Sequence, residues 1–302
     1  MERRYFEPRT VEEAVGLLAE HGAEADLVAG GTDLVVGARS GKRPLGPALV
    51  AIHRLEELRG IAVENGGGLR LGALVSHGEL ETASVVRERW SALADAAAIV
   101  GSPATRHAGT LGGNIANASP AMESGGPLLV FEASVELVSR AGRRTLPLAE
   151  FLQGPGKTAR AADELVIGIV APALPAGSVG SAYIRLEYRR SMEIAVVGAA
   201  ALVALDDAGR IAEGRLALVA VAPVCLRAAA AEALLRGQEP SEATFRAAAE
   251  KAVEAARPID DVRAPARYRQ AMVPVIARRA LELALRRAQG EILPVPASRA
   301  LE

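Results

Sequence analysis

Residues 171–178, Ala-Pro-Ala-Leu-Pro-Ala-Gly-Ser, separate two stretches of chain that follow different rules. Two prolines and a glycine in so short a run can continue neither a helix nor a central strand, so the segment predicts a linker. Before it, short strands and helices alternate; after it, strands come first and helices follow. Strands followed by helices predict a small α+β unit. A length of 302 residues accommodates about two domains at ~150 residues each. The expected division is 1–176 and 177–290, with 291–302 as a tail.

Within the first stretch, Thr10 followed by Glu13 is a capping box ahead of Val15, Leu17 and Leu18, and Gly22 is placed to end that helix. A strand over Asp26–Ala29 runs into Gly30-Gly31-Thr32-Asp33, and a helical turn over Leu34–Ala38 follows, stopping at Gly41. Leu49–Ile52, Ile61–Val63, Leu69–Leu74, Ser134–Ser139 and Glu164–Val170 read as strands, and Glu88–Val100 as a helix. Residues Gly101–Pro120 carry neither period and are expected to be a long functional loop. In the second stretch Ala182–Tyr188, Ile194–Leu205 and Arg210–Val221 predict three antiparallel strands. The last two are joined by the hairpin turn Asp206–Gly209. Helices are expected over Leu226–Leu235, Ser241–Ala256 and Ala266–Gln289.

Composition excludes several chemistries. Cys225 is the single cysteine, which rules out a disulfide framework, a four-cysteine iron–sulfur cluster and a cysteine-rich zinc site in this chain. His21, His53, His77 and His107 stand at no metal-ligand spacing, so no metal site is expected. Basic and acidic residues nearly cancel, 35 against 36, which argues against a nucleic-acid surface. The first residues lead into Phe6-Glu7-Pro8 with no apolar leader, and no uncharged run of about 18 apolar residues occurs. A cytoplasmic protein with no membrane span is the expectation. Neither a Gly-x-Ser-x-Gly elbow nor a base beside Cys225 supports nucleophilic catalysis.

Three glycine segments remain. Ala29-Gly30-Gly31-Thr32-Asp33 lies between a strand and a helix start, where backbone N–H groups and the helix dipole could converge on an anion. A tight turn capped by Thr32 or Asp33 explains the same residues. Gly109 to Pro120 is denser: its small residues let a ligand approach the backbone, and Thr110, Asn114, Asn117 and Ser119 offer neutral donors and acceptors. That lining suits a polyhydroxylated or heteroaromatic cofactor better than a metal. Gly154-Pro155-Gly156-Lys157-Thr158 matches neither nucleotide motif. A phosphate loop would need glycine where Phe151 stands, and the dinucleotide fingerprint lacks its preceding strand.

Ala-Gly-Gly-Thr-Asp at 29–33 and Thr-Leu-Gly-Gly-Asn-Ile-Ala-Asn-Ala-Ser-Pro at 110–120 together resemble the FAD-binding subunits of molybdenum hydroxylases. That family includes the medium subunit of aerobic carbon monoxide dehydrogenase and the flavin subunit of xanthine dehydrogenase. The block Arg189-Arg190-Ser191-Met192-Glu193-Ile194-Ala195 is similar to these flavoproteins too. The resemblance implies a PCMH-type (vanillyl-alcohol-oxidase-like) FAD domain of two α+β subdomains, about 1–57 and 58–176. It also implies a C-terminal α+β domain with a three-stranded antiparallel sheet and helices. By carry-over Ala29, Gly30, Gly31, Thr32, Asp33, Leu34, Val35 and Val36 should wrap the pyrophosphate of a non-covalent FAD. Ser102, Gly109, Thr110, Gly113, Asn114, Ser119 and Ile167 should lie along the cofactor. Glu123 stands where the family usually has Asp, and Arg185 where it commonly has Lys; both are expected near the flavin.

The resemblance implies that molybdopterin and [2Fe–2S] clusters sit on a large and a small partner subunit, in a dimer of heterotrimers, with electrons passing through FAD to NAD⁺, a quinone or another acceptor. Two other readings compete: a stand-alone FAD-dependent reductase of the same fold, and a scaffold subunit that has lost its flavin.

Overall fold

A computed structural model describes residues 3–301. The first lobe holds β1 (Arg4–Phe6), α1 (Val11–His21), β2 (Ala25–Val28), α2 (Thr32–Arg39) and β3 (Ala48–Ala51). β3 is central and parallel to both neighbours, in the order β1-β3-β2. Helix α1 begins where its cap predicts, with Thr10 Oγ1 accepting from Glu13 N at 3.1 Å, and it ends at Gly22 with φ +52°. The Glu13 carboxylate reaches Arg9 N, not the Thr10 amide of an ideal capping box. Val11, Ala14, Val15 and Leu18 form the buried stripe of α1, the 3–4 spacing of a one-faced helix.

The second lobe starts with β4 (Ile61–Val63) and β5 (Leu69–Gly72), then α3 (His77–Thr82), α4 (Ser84–Arg89) and α5 (Ser91–Ala98). Next come α6 (Pro103–Ala108), α7 (Leu111–Asn117) and α8 (Gly125–Val130), followed by β6 (Ser134–Ser139) and β7 (Gly142–Pro147). A short α9 (Leu148–Phe151), the small hairpin β8–β9 (Leu152–Gly154, Lys157–Thr158) and β10 (Leu165–Ala171) complete it. The sheet is antiparallel in the order β4-β5-β10-β6-β7.

Two expectations are corrected here, and one helix is added. Residues 101–120 are not a loop: Ser102 Oγ caps α6 and Thr110 Oγ1 caps α7, and helices this short carry no readable period. The helix expected over Glu88–Val100 is two helices broken at fully buried Trp90. Helix α3 went unread, although Ser76 and Glu79 form a complete capping box.

After the linker come β11 (Ser178–Leu186), β12 (Val197–Leu205), β13 (Ile211–Val219), β14 (Leu226–Arg227), α10 (Ala229–Glu232), α11 (Glu242–Ala252) and α12 (Ala266–Ala288). The sheet has four strands, not three, because Leu226 and Arg227 pair with β13 where a helix was expected to begin. The hairpin turn Asp206–Gly209 forms as read, with Gly209 at φ +76°. Strand β12 is buried on both faces. Ala200, Leu202 and Ala204 join the core of the second lobe, while Ala199, Ala201 and Val203 pack with α11 and α12. Period-2 alternation thus lets one strand belong to two cores.

Asp95 on α5 ties this junction. Wholly buried, its carboxylate accepts from Tyr183 N at 3.1 Å, Ala297 N at 2.9 Å and Arg287 Nη1 and Nη2 at 2.6 and 2.9 Å. The 291–301 segment is therefore anchored: Ala297 is buried against Asp95. Among the described residues no helix is long and apolar enough to cross a membrane.

Candidate functional site: a cleft walled by two glycine segments

The first glycine segment is shaped by backbone geometry. Gly31 takes φ +71°, a left-handed conformation that glycine adopts without penalty, and caps α2 with no side-chain hydrogen bond. The first amides of α2 therefore have no capping partner, and Gly30, Gly31, Thr32 and Asp33 line a cleft. A Cβ on Gly30 would stand 1.7 Å from the Ala108 carbonyl oxygen. Glycine at this position is what lets the first segment lie against the second, some 80 residues away in the chain.

The second segment is laced to the turn before α3. Leu111 N donates to Val75 O at 2.8 Å, Gly112 N to Ala73 O at 2.9 Å and His77 N to Gly109 O at 3.1 Å. Helix α7 has two faces. Leu111, Gly112 and Ile115 are buried, and a Cβ on Gly112 would be 2.7 Å from Ala73 Cβ and O. Gly113, Asn114 and Asn117 face the cleft. Outside its own helix backbone, a Cβ on Gly113 would meet only Thr110 Oγ1, at 2.9 Å; beyond that lies open cleft. Asn114 Oδ1 accepts from the buried Ser124 hydroxyl at 2.6 Å, which fixes the side chain and leaves its NH₂ group for a ligand.

These walls enclose a cavity of about 640 Å³, within the range of small-molecule and cofactor sites. Most residues expected at the cofactor line it: Ala29 to Leu34, Val36, Gly109, Thr110, Gly113, Asn114, Ser119, Glu123 and Arg185. Three do not. Val35 points to solvent from α2, Ser102 is spent as the cap of α6, and Ile167 is a core residue of β10 beyond the lining residues Leu165 and Val166. The 154–158 hairpin stays outside the cavity. Its Lys157 is exposed, and Gly156 N donates to Ala118 O.

At the C-terminal-domain end, Glu123 and Arg185 form a buried pair. One Glu123 oxygen accepts from Arg185 Nη1 and the other from the Tyr183 hydroxyl. Arg185 also donates through Nε to Glu187 Oε2 at 2.7 Å. Burial raises the Glu123 pKa, while Arg185 and then Tyr183 pull it back. Both Glu123 oxygens accept, so the contact is drawn as a carboxylate–guanidinium pair. The longer Glu and Arg therefore meet each other across this end of the cleft. Asp33 has its pKa raised by burial.

Sequence reasoning missed His77, the first residue of α3. It is 2 % exposed, lines the cleft, and has its pKa lowered to about 4, chiefly by burial and secondly by the Arg106 charge. The capping box before it was legible; its burial was not, because that depends on α6 and α7 closing over it. Arg43, Arg160, Met192 and Ile194 also line the cleft from distant segments. The described residues contain no cluster of His, Cys, Asp or Glu able to hold a metal.

Comparison with known proteins agrees with this architecture. Residues 1–174 match the family model "FAD binding domain in molybdopterin dehydrogenase", and residues 182–284 match "CO dehydrogenase flavoprotein C-terminal domain". The chain is 31% identical over 288 residues to the xanthine dehydrogenase FAD-binding subunit of Escherichia coli O157:H7, covering 95% of this chain and 98% of that protein. It is 34% identical over 281 residues to the carbon monoxide dehydrogenase medium chain of Hydrogenophaga pseudoflava, covering 93% and 96%. The solved carbon monoxide dehydrogenase structure from that organism, lacking the Mo-pyranopterin moiety, superposes with a TM-score of 0.89 at 34% identity over 95% of this chain and 98% of that one. A cyanide-inactivated Cu,Mo-CO dehydrogenase gives 0.90 at 28% identity, covering 95% and 99%. The residues present fit the implied cofactor, since the cleft has Gly113 in its lining, uncapped amides at α2 and an unpartnered buried histidine. The chain belongs to the FAD-binding subunits of the xanthine and carbon monoxide dehydrogenase type.

Proposed function

We propose that this chain is the electron-converting subunit of a molybdenum hydroxylase complex, holding FAD without a covalent bond. The observation that carries the reading is the single cleft formed by both glycine segments, lined by Gly30, Gly31 and Gly113 where no side chain intrudes. Gly30, Gly31, Thr32 and the first amides of α2 would hold the pyrophosphate. Thr110, Gly113 and Asn114 would line the cofactor, and the Glu123–Arg185 pair would border its flavin end. When bound, FAD supplies the redox chemistry, taking electrons singly and delivering them in pairs to an external acceptor.

The chain's own residues bind and orient. Asn114, held by Ser124, offers its NH₂ group in a fixed direction. Arg185, gripped by Glu123 and Glu187, keeps a positive charge in a buried place. The one cysteine, Cys225, is buried with its thiol pKa pushed up to about 12, first by burial, so it is neither a cluster ligand nor a nucleophile. The [2Fe–2S] clusters and molybdopterin would sit on a small and a large partner subunit, in a dimer of heterotrimers in the cytoplasm. The cleft lined by Gly30, Gly31 and Gly113 supports this reading over a scaffold subunit without flavin.

Co-expression with its two partner subunits tests the proposal. The expected result is a stable complex in which substrate bleaches the flavin absorbance, while the isolated flavin-loaded chain is not reduced by the same substrate. Turnover of an organic substrate by the isolated chain would contradict it.

A further inference from the structure

We infer that His77 is a binding residue of the cleft, its Nε2–H donating a hydrogen bond to a phosphate oxygen of the cofactor at the start of α2. The inference rests on the FAD reading above and adds a residue that neither glycine segment contains.

His77 is almost completely buried, yet its Nδ1 has no hydrogen-bond partner among the described residues. The main chain around it is fully engaged: His77 N donates to Gly109 O, and Ser76 and Glu79 satisfy each other in the capping box. Only the ring is left over.

The opposite edge of the ring, Cδ2–Nε2, is the one turned toward α2. The point where a Gly109 Cβ would stand lies 3.3 Å from His77 Cδ2 and 3.5 Å from Thr32 Oγ1. The Cδ2–Nε2 edge of the imidazole and the hydroxyl of the first α2 residue thus converge beside Gly109, where the Thr105 carbonyl oxygen, 3.1 Å from the same point, leaves no room for a side chain. With no acceptor near Nδ1, an N–H there would be stranded, so the neutral ring carries its proton on Nε2. With its pKa lowered to about 4, first by burial and then by Arg106, the imidazole is an uncharged donor at pH 7. The amides of α2 and its positive end favour an anion at this place. Arg106 is itself neutralised, donating through Nε to Glu81 Oε2 at 2.7 Å. His77 therefore adds a directed donor where the fixed cation is already paired.

The test uses the full chain stripped of flavin, titrated at pH 7 with FAD, ADP and riboflavin. ADP carries the pyrophosphate without the flavin ring, and riboflavin carries the ring without phosphate. His77→Leu is expected to weaken FAD and ADP by similar factors, about 10- to 150-fold for a lost hydrogen bond to a charged group, and to leave riboflavin unchanged. His77→Gln, which places an N–H near the Nε2 position, is expected to recover most of the FAD and ADP affinity. Undiminished ADP binding by His77→Leu would overturn the inference. So would an equal loss for ADP and riboflavin, which is the mark of a structural role. A parent chain that binds no flavin would overturn both this inference and the FAD reading, so the two failures are distinguishable.

Discussion

Gly113→Val should give a folded protein that no longer retains flavin. The added Cβ presses on Thr110 Oγ1, the cap of α7, at 2.9 Å, a hydroxyl that can turn aside, and the two methyl groups beyond it project into the cleft that Gly113 lines. The buried face of α7 is carried by Leu111, Gly112 and Ile115, so the core is untouched. The same substitution at Gly112 would instead strike Ala73. Gly30→Ala should also lower FAD affinity by a different route. Its Cβ overlaps the Ala108 carbonyl, and relieving the overlap must part the two walls. Overpacking of this kind costs about 1–3 kcal/mol, or about 5- to 150-fold in affinity if the bound state bears it.

Asn114→Ala should fall in the same range, since one donor to the ligand is lost and Ser124 is left unpaired. Lys157→Ala should change nothing, because its hairpin lies outside the cleft. FAD titration of these variants beside the parent checks the order. If Lys157→Ala proved the most damaging, the assignment of the cleft would be wrong.

What could be read in advance follows from the range of the interactions involved. Local signals sufficed for α1, whose cap and glycine stop lie within one stretch of chain, and for the β12–β13 hairpin. The two glycine segments stood out because an unusual density of small and hydrogen-bonding residues is visible without knowing the fold. Short helices were not legible: α6 and α7 have six and seven residues, too few for a period. Nor was β14, which has two residues and exists because β13 offers it an edge. His77 was missed for a related reason. A lone histidine after a capping box could have stayed in solvent; only the crossing of α3 by the second glycine segment buries it. Glu123 and Arg185 looked like separate departures from the family pattern, yet they contact each other. Sequence separation hid a contact that space makes plain.

The largest effect on stability is expected at Asp95→Ala. Removal of this carboxylate leaves the Arg287 guanidinium and the amides of Tyr183 and Ala297 without their acceptor in a buried place. Burial raises the Asp95 pKa, and the hydrogen bonds and charge of Arg287 are the main influences opposing it. Deleting one member of a buried pair costs about 3–5 kcal/mol. Urea unfolding should show a loss of that size. Asp95 joins α5 to β11, α12 and the 297–301 turn, so the loss should be felt across the junction of the two domains. Arg286→Ala is the control: its partner Glu291 is exposed, and little change is expected. An Asp95→Ala protein as stable as the parent would show that the β12 core alone holds the junction.

The central claim is that one cleft, closed by two distant glycine segments, holds FAD without a covalent bond. Acid precipitation of the purified flavin-loaded protein tests it most directly. The account predicts that the flavin appears in the supernatant as intact FAD, in an amount equal to the chain. Flavin that remains in the pellet, or a protein that takes up no FAD at all, would contradict it.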